Sequence, residues 1–254
     1  MPKLCESEIE KMAIEELVKL GYTYLSGPDI APDALFAERN SYSEVLLRKR
    51  LTDAVVRLNP NLSYDVVLEA VNKVARISSS NLVADNEAFH KMLVDGVPVE
   101  YRKNGEMVGD YVRLVDFSEE GTDNNEFLVV NQFTVIENNN NKRPDILLFI
   151  NGIPMVLFEL KNPADENATI RKAYDQICTY KAAIPSLFTY NEICVISDGL
   201  EAKAGSLTAP FSRFSTWKTK DGLTEASQFE DQLTTLIHGL CNKKTLLDYI
   251  RNFI

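Results

Sequence analysis

Residues 144–161, Pro-Asp-Ile-Leu-Leu-Phe-Ile-Asn-Gly-Ile-Pro-Met-Val-Leu-Phe-Glu-Leu-Lys, restrict the folds open to this chain more than any other stretch. Two runs of strand-forming apolar residues flank Asn151-Gly152, a pair suited to the left-handed dihedrals of a tight hairpin turn. Three charges interrupt that apolar text: Asp145 where the first run begins, and Glu159 and Lys161 near the end of the second. A charge buried in a sheet costs several kcal/mol unless something compensates it, and a divalent cation is one such compensation for paired carboxylates.

Side chains alternate between the two faces of a strand, so a slip of one residue sends each to the other face. A plain two-residue loop at Asn151-Gly152 pairs Ile150 with Ile153 and sets Asp145 opposite Phe158, leaving Glu159 and Lys161 on the far face. A three-residue loop, or a bulge at a left-handed Gly152, puts all three charges on one face. If the charges act together, the turn is therefore expected to be bulged or odd in length.

At 254 residues and 45% hydrophobic content, the chain can bury a sizeable core. No apolar run approaches the roughly 20 residues that span a bilayer, and the N-terminus has no signal-peptide core, so a cytoplasmic location is the default expectation. Cys5, Cys178, Cys194 and Cys241 show no CxxC spacing and read as reduced, mostly buried thiols. A net charge of −10 argues against a protein that coats nucleic acid nonspecifically, but not against one with a local basic face. Lys142, Arg143, Lys161, Arg171, Lys172 and Lys181 cluster in sequence around the hairpin and are candidates for such a face, although similar clusters are often ordinary solvated surface.

In order along the chain, Ile9, Ala13, Leu17 and Leu20 predict an amphipathic helix over 6–20 stopped by Gly21, with a short strand from Tyr22 to Leu25. Helices follow at 42–58, at 63–77 with Ser63 as N-cap, and at 85–93. Lys49, Arg50, Arg57, Lys73 and Arg76 decorate them, mostly as helix surface. A hairpin joins 97–102 to 111–117 across Lys103-Asn104-Gly105, and 126–137 reads as one long strand. The four asparagines 138–141 read as a mobile loop. A helix over 168–183 carries Gln176 and Tyr180 four residues apart on one face, with Tyr174 and Ile177 directed to the core. A buried strand at 191–197 then gives a strand-helix-strand unit expected to pair in parallel. Helices are expected at 227–240 and 244–254. The chain carries no GxxxxGK[ST] loop, so no Walker-type ATP site is expected, and His90 and His238 lie far from the hairpin.

Pro144-Asp145 followed by Glu159-Leu160-Lys161 resembles the PD-(D/E)XK nuclease signature, and Gln176-Ile177-Cys178-Thr179-Tyr180 resembles the QxxxY motif of one branch of that superfamily. Asn131-Gln132-Phe133-Thr134-Val135, Phe158-Glu159-Leu160-Lys161-Asn162-Pro163 and Ser197-Asp198-Gly199 are similar to the N-terminal nuclease domain of the type I restriction enzyme R subunit. Tyr42-Ser43-Glu44-Val45-Leu46, Lys203-Ala204-Gly205-Ser206 and Phe214-Ser215-Thr216-Trp217 extend the likeness over nearly the whole chain, and the last two matches imply edge strands at 202–205 and 213–217.

The resemblance implies an α/β fold with a restriction-endonuclease-like core, a central mixed sheet flanked by helices, and a helical insertion near 40–95. It implies a nuclease domain over 1–220 and a helical segment over 221–254 leading towards an ATP-driven motor outside this chain. It also implies Mg²⁺, replaceable by Mn²⁺, held by Asp145, Glu159, the Leu160 carbonyl and a glutamate of the N-terminal helix. Glu6, Glu8, Glu10, Glu15 and Glu16 are candidates there, with Glu10, beside the apolar stripe, preferred. Lys161 would orient the attacking water or stabilise the transition state, and Gln176 and Tyr180 would position the phosphate. The implied partners are double-stranded DNA and the modification (methyltransferase) and specificity subunits. Two rivals are a catalytically silent DNA-binding or docking module of the same fold and a phosphohydrolase for small esters; the intact Asp145, Glu159 and Lys161 oppose the first, and the lack of a glycine-rich phosphate cradle the second.

Overall fold

A mixed six-stranded sheet carries the hairpin at its centre in the computed structural model, which describes residues 6–162, 169–227 and 230–254. Cys5, Pro163 and Ala168 lie outside the described residues. Helix α1 (Glu6–Lys19) buries Ile9, Ala13 and Leu17, one residue per turn along a single stripe. It stops where Gly21 adopts φ 86° and donates its N–H to the Val18 carbonyl. Strand β1 (Thr23–Ser26) follows, then helices α2 (Arg48–Leu58), α3 (Tyr64–Ala75) and α4 (Leu82–Asp95). A separate two-stranded ribbon comprises β2 (Val97–Lys103) and β3 (Glu106–Val112). After the single turn α5 (Gly121–Asn124) come β4 (Phe127–Asn131), β5 (Val135–Glu137), β6 (Asn140–Lys142), β7 (Ile146–Ile150) and β8 (Ile153–Leu160). The chain ends with α6 (Ile170–Ala183), the short α7 (Pro185–Phe188), β9 (Ile193–Ser197), β10 (Ala202–Ser206), α8 (Gln232–Leu240) and α9 (Lys243–Phe253).

The sheet runs β1-β4-β7-β8-β9-β10, with β1 parallel to β4, β8 parallel to β9, and the remaining pairs antiparallel. This is the mixed sheet flanked by helices that the sequence resemblance implied, and the β8-α6-β9 unit is parallel as expected. Every residue of β7, β8 and β9 is buried, which accounts for their unbroken apolar text. Helix α1 packs on β1, β4 and β8, whereas α6 packs on β8 and β9; α8 lies against α1 and β10.

The hairpin solves the parity problem differently from the expected bulged turn. Asn151 (φ 52°) and Gly152 (φ 79°) form a two-residue turn with Ile150 opposite Ile153. The extra residue sits further along: Phe149 pairs with Pro154 and Leu148 with Val156, which leaves Met155 unpaired as a bulge. Its carbonyl accepts from the Glu192 N–H (2.8 Å) and from Asn191 Nδ2 (3.2 Å). Pro154, lacking an N–H, is the sequence mark of this interruption. Beyond the bulge Ile146 pairs with Phe158, so Asp145 falls opposite Glu159 rather than Phe158.

The turn itself is buried. Asn151 is inaccessible to solvent; its Nδ2 donates to Leu114 O (2.9 Å) and Asn125 Oδ1 (2.7 Å), and its Oδ1 accepts from Glu126 N (2.8 Å). The Gly152 carbonyl accepts from Leu47 N (2.9 Å). Residues 42–47 are therefore not the first turns of α2 as expected. Val45, Leu46 and Leu47 are buried in succession, which a helix lying on a surface cannot do, and the segment passes through a turn at Tyr42 and Ser43 and an irregular stretch to reach the hairpin turn.

Other expectations fail for similar reasons. The long strand 126–137 breaks at Gln132, a residue at φ 52°, and β5 leaves the main sheet to pair with β6. The asparagine run is not a loose loop: Asn138 (φ 47°) and Asn139 (φ 65°) make a tight turn between Glu137 and Asn140. The β2-β3 ribbon turns at Asn104-Gly105, so its second arm starts at Glu106 rather than 111. Around 213–217 only the single bridge Ser215 to Ala204 forms, and α8 begins at Gln232, capped by Asp231 (Oδ2 to Thr234 N, 2.7 Å). Ser63 stands at the N-cap of α3 without a side-chain capping bond. Cys194 and Cys241 are buried free thiols, as read from the sequence, and Cys178 is exposed. No helix is long and apolar enough to cross a membrane among the described residues.

A Cβ on Gly152 would lie 2.6 Å from the Leu47 carbonyl, on a backbone that L side chains disfavour. Gly152→Val is expected to lower stability by about 2–4 kcal/mol, measured by urea unfolding. An unchanged midpoint would contradict this description of the turn.

Candidate active site

The bulge at Met155 has its effect at the mouth of the hairpin. Asp145 and Glu159 are 7% and 2% exposed, at the same end of adjacent strands. Asp145 Oδ2 accepts the backbone N–H of Leu160 (2.7 Å), which pins its carboxylate across the strand pair. Lys161 continues the Glu159 face and places Nζ 2.5 Å from Glu159 Oε1. Its own N–H donates to the Ser197 carbonyl at the end of β9 (2.9 Å), so three strands fix its position. The second oxygen of Glu159, Oε2, is buried with no hydrogen-bond partner.

The electrostatics follow from that crowding. Burial, then the neighbouring Glu159 charge, push the Asp145 carboxyl up to about 8, against the pull of the Leu160 N–H and Lys161. Burial also raises Glu159, although the Lys161 ammonium opposes it. Burial by itself would lower Lys161, but the Glu159 carboxylate outweighs it and the ammonium is held more firmly than usual. Two carboxyl groups and one ammonium thus share a nearly dry site with one orphaned oxygen.

Helix α6 supplies a third wall. Thr169 caps it, and Asp198 holds its first N–H through Oδ2 (3.1 Å to Ile170 N) while Oδ1 accepts from Leu200 N and Glu201 N. Gln176 and Tyr180 share the face turned to the site as expected; Tyr180 is 6% exposed, and burial, then the Glu159 and Asp145 charges, keep its phenol protonated well above its usual range. Ile177 is core, whereas Tyr174 is only half-buried against Phe211 and Phe214.

Helix α1 contributes acid from its first turn. Glu6 is the helix glutamate whose charge reaches Asp145, Glu159 and Lys161. Glu10, preferred from the sequence, instead has both oxygens occupied: Oε1 accepts from Asn131 Nδ2 (2.7 Å) and Oε2 from Gln132 Nε2 (2.6 Å). Among the described residues, no group of three or more His, Cys, Asp or Glu side chains is arranged to hold a metal. Asp145 and Glu159 form a pair, and such a pair suits Mg²⁺, which typically takes one or two carboxylates and completes its shell with water and phosphate oxygens. The unpartnered Glu159 oxygen and the raised carboxyls fit a site built for a cation.

The basic candidates divide. Arg143 and Lys172 are exposed and Lys142 is half-buried on β6. Arg171 pairs with Asp175 (3.1 Å) and lies over the Phe211 ring, and Lys181 donates to the Leu207 carbonyl (2.5 Å), so these two are engaged within the fold. Lys49, Arg50, Arg57 and Lys73 likewise bond to neighbouring acids or carbonyls, in keeping with the helix-surface reading. The bonding of Asn131 and Gln132 was missed in the sequence, where they stand only as resemblance text.

Residues 3–213 match the family model of the type I restriction enzyme R protein N terminus. The chain belongs to this family. It is 42% identical over 254 residues to the type I restriction enzyme HindI endonuclease subunit of Haemophilus influenzae, covering 99% of this chain and 24% of that protein. It is 35% identical over 265 residues to a Methanocaldococcus jannaschii protein provisionally named the type I restriction enzyme MjaIXP endonuclease subunit, covering 97% of this chain and 25% of that protein. The R-subunit domain described here thus spans about a quarter of the length of these relatives.

Both carboxyls of the R-subunit pair titrate above their unfolded values, so the native state holds protons the unfolded state has lost. This contribution to stability is fully present below the unfolded Asp value of 3.8 and is lost as pH rises through about 8. In chelator, Asp145→Asn is therefore expected to raise the thermal midpoint relative to the parent, by an increment that grows as pH rises across that window. A constant increment would contradict the assignment.

Proposed function

We propose that this domain is the metal-dependent endonuclease of a type I restriction enzyme R subunit, hydrolysing phosphodiester bonds in double-stranded DNA. The observation that carries the reading is the Asp145-Glu159-Lys161 cluster, with a buried carboxylate oxygen lacking any partner. Asp145, Glu159 and the Leu160 carbonyl hold Mg²⁺, or Mn²⁺ in its place. When bound, the ion supplies charge neutralisation and polarisation of a phosphoryl oxygen.

The protein's own groups do the rest. Lys161, held against Glu159 Oε1, orients the attacking water or stabilises the developing phosphoryl charge. Tyr180 and Gln176 present neutral donors beside the carboxylates and position the phosphate backbone. Lys142, Arg143 and Lys172 are the basic side chains free to follow DNA, while Arg171 and Lys181 serve the fold. With an overall charge of −10, the domain relies on the rest of the assembly to bring DNA to the site. That assembly comprises the modification and specificity subunits and an ATP-driven motor region.

In the assembled enzyme, Asp145→Ala and Lys161→Ala are each expected to lower DNA cutting by about 10²–10³-fold or more while ATP hydrolysis and modification persist. Full cutting by either variant would sink the reading. A Mn²⁺-soaked crystal should show density between Asp145 and Glu159, and an empty site at saturating Mn²⁺ would remove the metal from the mechanism.

A further inference from the structure

Strand β4 does not run straight into β5. Its last residue, Asn131, is followed by Gln132 in the left-handed region at φ 52°, a conformation that a long side chain seldom takes without external support. At the bend the Gln132 N–H donates to the Asp145 carbonyl (3.0 Å), which carries the β4–β7 register one residue beyond Asn131 and Ile146. Asp145 is thereby held from two sides, at its backbone by Gln132 and at its carboxylate by the Leu160 N–H. Gln132 belongs to neither strand of the hairpin, so its contact restrains the residue from outside the strand pair.

The support for the bend comes from α1. Glu10 reaches over from the helix and accepts one hydrogen bond from the Asn131 side-chain amide and one from the Gln132 side-chain amide, one to each carboxylate oxygen. The clamp is itself braced. Tyr24 on β1 donates its hydroxyl to Asn131 Oδ1 (3.0 Å), and the Gly27 N–H donates to the Asn131 carbonyl (2.9 Å). Gly27 lies so close that a Cβ there would sit 2.4 Å from that carbonyl, leaving room only for glycine. The elements around the elbow thus converge on its geometry, and the elbow's outward bond goes to Asp145, the residue just before β7.

We propose that Glu10 is a positioning residue for cleavage: by clamping the Asn131 and Gln132 amides, it holds the left-handed elbow whose N–H sets Asp145. This rests on the reading of Asp145 as a reacting-site carboxylate. It assigns Glu10 a role distinct from that of a metal ligand, and it gives Gln132 a role that acts entirely through Asp145. The chemistry of the clamp is two accepted hydrogen bonds, which an amide in place of the carboxylate can largely reproduce. Gln132 can turn its amide over to accept from the new NH₂, while Asn131 goes on donating to the oxygen.

The test uses the full-length subunit in its assembled complex. Glu10→Ala and Gln132→Ala are each expected to lower the rate constant for DNA cutting by about 10–100-fold, with KM for DNA, ATP hydrolysis and the thermal midpoint little changed. Glu10→Gln should cut within a few-fold of the parent, and the Glu10→Ala/Gln132→Ala pair should lose no more than the larger single loss, because both act through one contact. Equal loss in Glu10→Gln and Glu10→Ala, additive losses in the pair, or normal cutting by Glu10→Ala would each overturn the proposal. If Glu10→Ala unfolds the domain, Glu10→Gln and Gln132→Ala decide alone: Gln132→Ala must be slow and Glu10→Gln fast. Asp145→Ala run alongside separates the two levels. A dead Asp145→Ala with a fully active Glu10→Ala discards only the clamp, whereas an active Asp145→Ala discards the reading of the site itself.

Discussion

The alternation of side chains along a strand is the constraint on which the site depends. Asp145 and Glu159 belong to two arms of one hairpin, and the two-residue turn at Asn151-Gly152 would put them on opposite faces. One unpaired residue, Met155, reverses the parity of the outer half of the hairpin and brings both carboxylates to one side. The same residue joins the hairpin to the neighbouring strand, because its carbonyl is held by Glu192 and Asn191 just before β9. Register, bulge and parallel pairing are therefore one structural decision, and Lys161 inherits its position from it through the Ser197 carbonyl.

What that decision produces is electrostatically unfavourable on its own. Two carboxylates with little access to water, one ammonium and an unsatisfied oxygen cost the fold stability, and their raised titration points register that cost. The surroundings are arranged to tolerate it: Leu160 N–H on Asp145, Lys161 on Glu159, and a capped α6 held by Asp198. Buried apolar strands on either side keep these groups from relaxing into solvent.

The charges themselves were legible in the sequence, because Asp145, Glu159 and Lys161 stand out against text that is otherwise apolar. The spacing of Gln176 and Tyr180 was legible for the same reason, as helical periodicity is a local property. The position of the bulge was less so: the need for an extra residue follows from parity, but its place at Met155 is announced only by Pro154, a residue without a ladder N–H in a central strand. The elbow at Gln132 was not legible at all. The whole stretch 126–137 reads as one strand, and the bend is braced by Glu10, more than a hundred residues earlier in the chain. Residues 42–47 read as helix in sequence because their irregular path is set by bonds to Gly152 and Ile136, not by their own propensities. Asn138 to Asn141 looked loose on composition, yet asparagine is also the residue best able to take the two left-handed positions of a tight turn.

The buried turn at the far end of the hairpin gives the domain a polarity. Turns of this kind ordinarily face water and tolerate change, but Asn151 is sealed beneath residues 114, 125 and 126 and its neighbour Gly152 beneath Leu47. The two strands are therefore anchored at one end and carry the Asp145–Glu159 pair at the other, as a clamped beam carries a load at its tip. The geometry of the pair can therefore be lost without touching an acid or a lysine: a change at the anchorage disturbs it from a distance, and a one-residue insertion or deletion anywhere between anchorage and tip changes which face the two carboxylates are on.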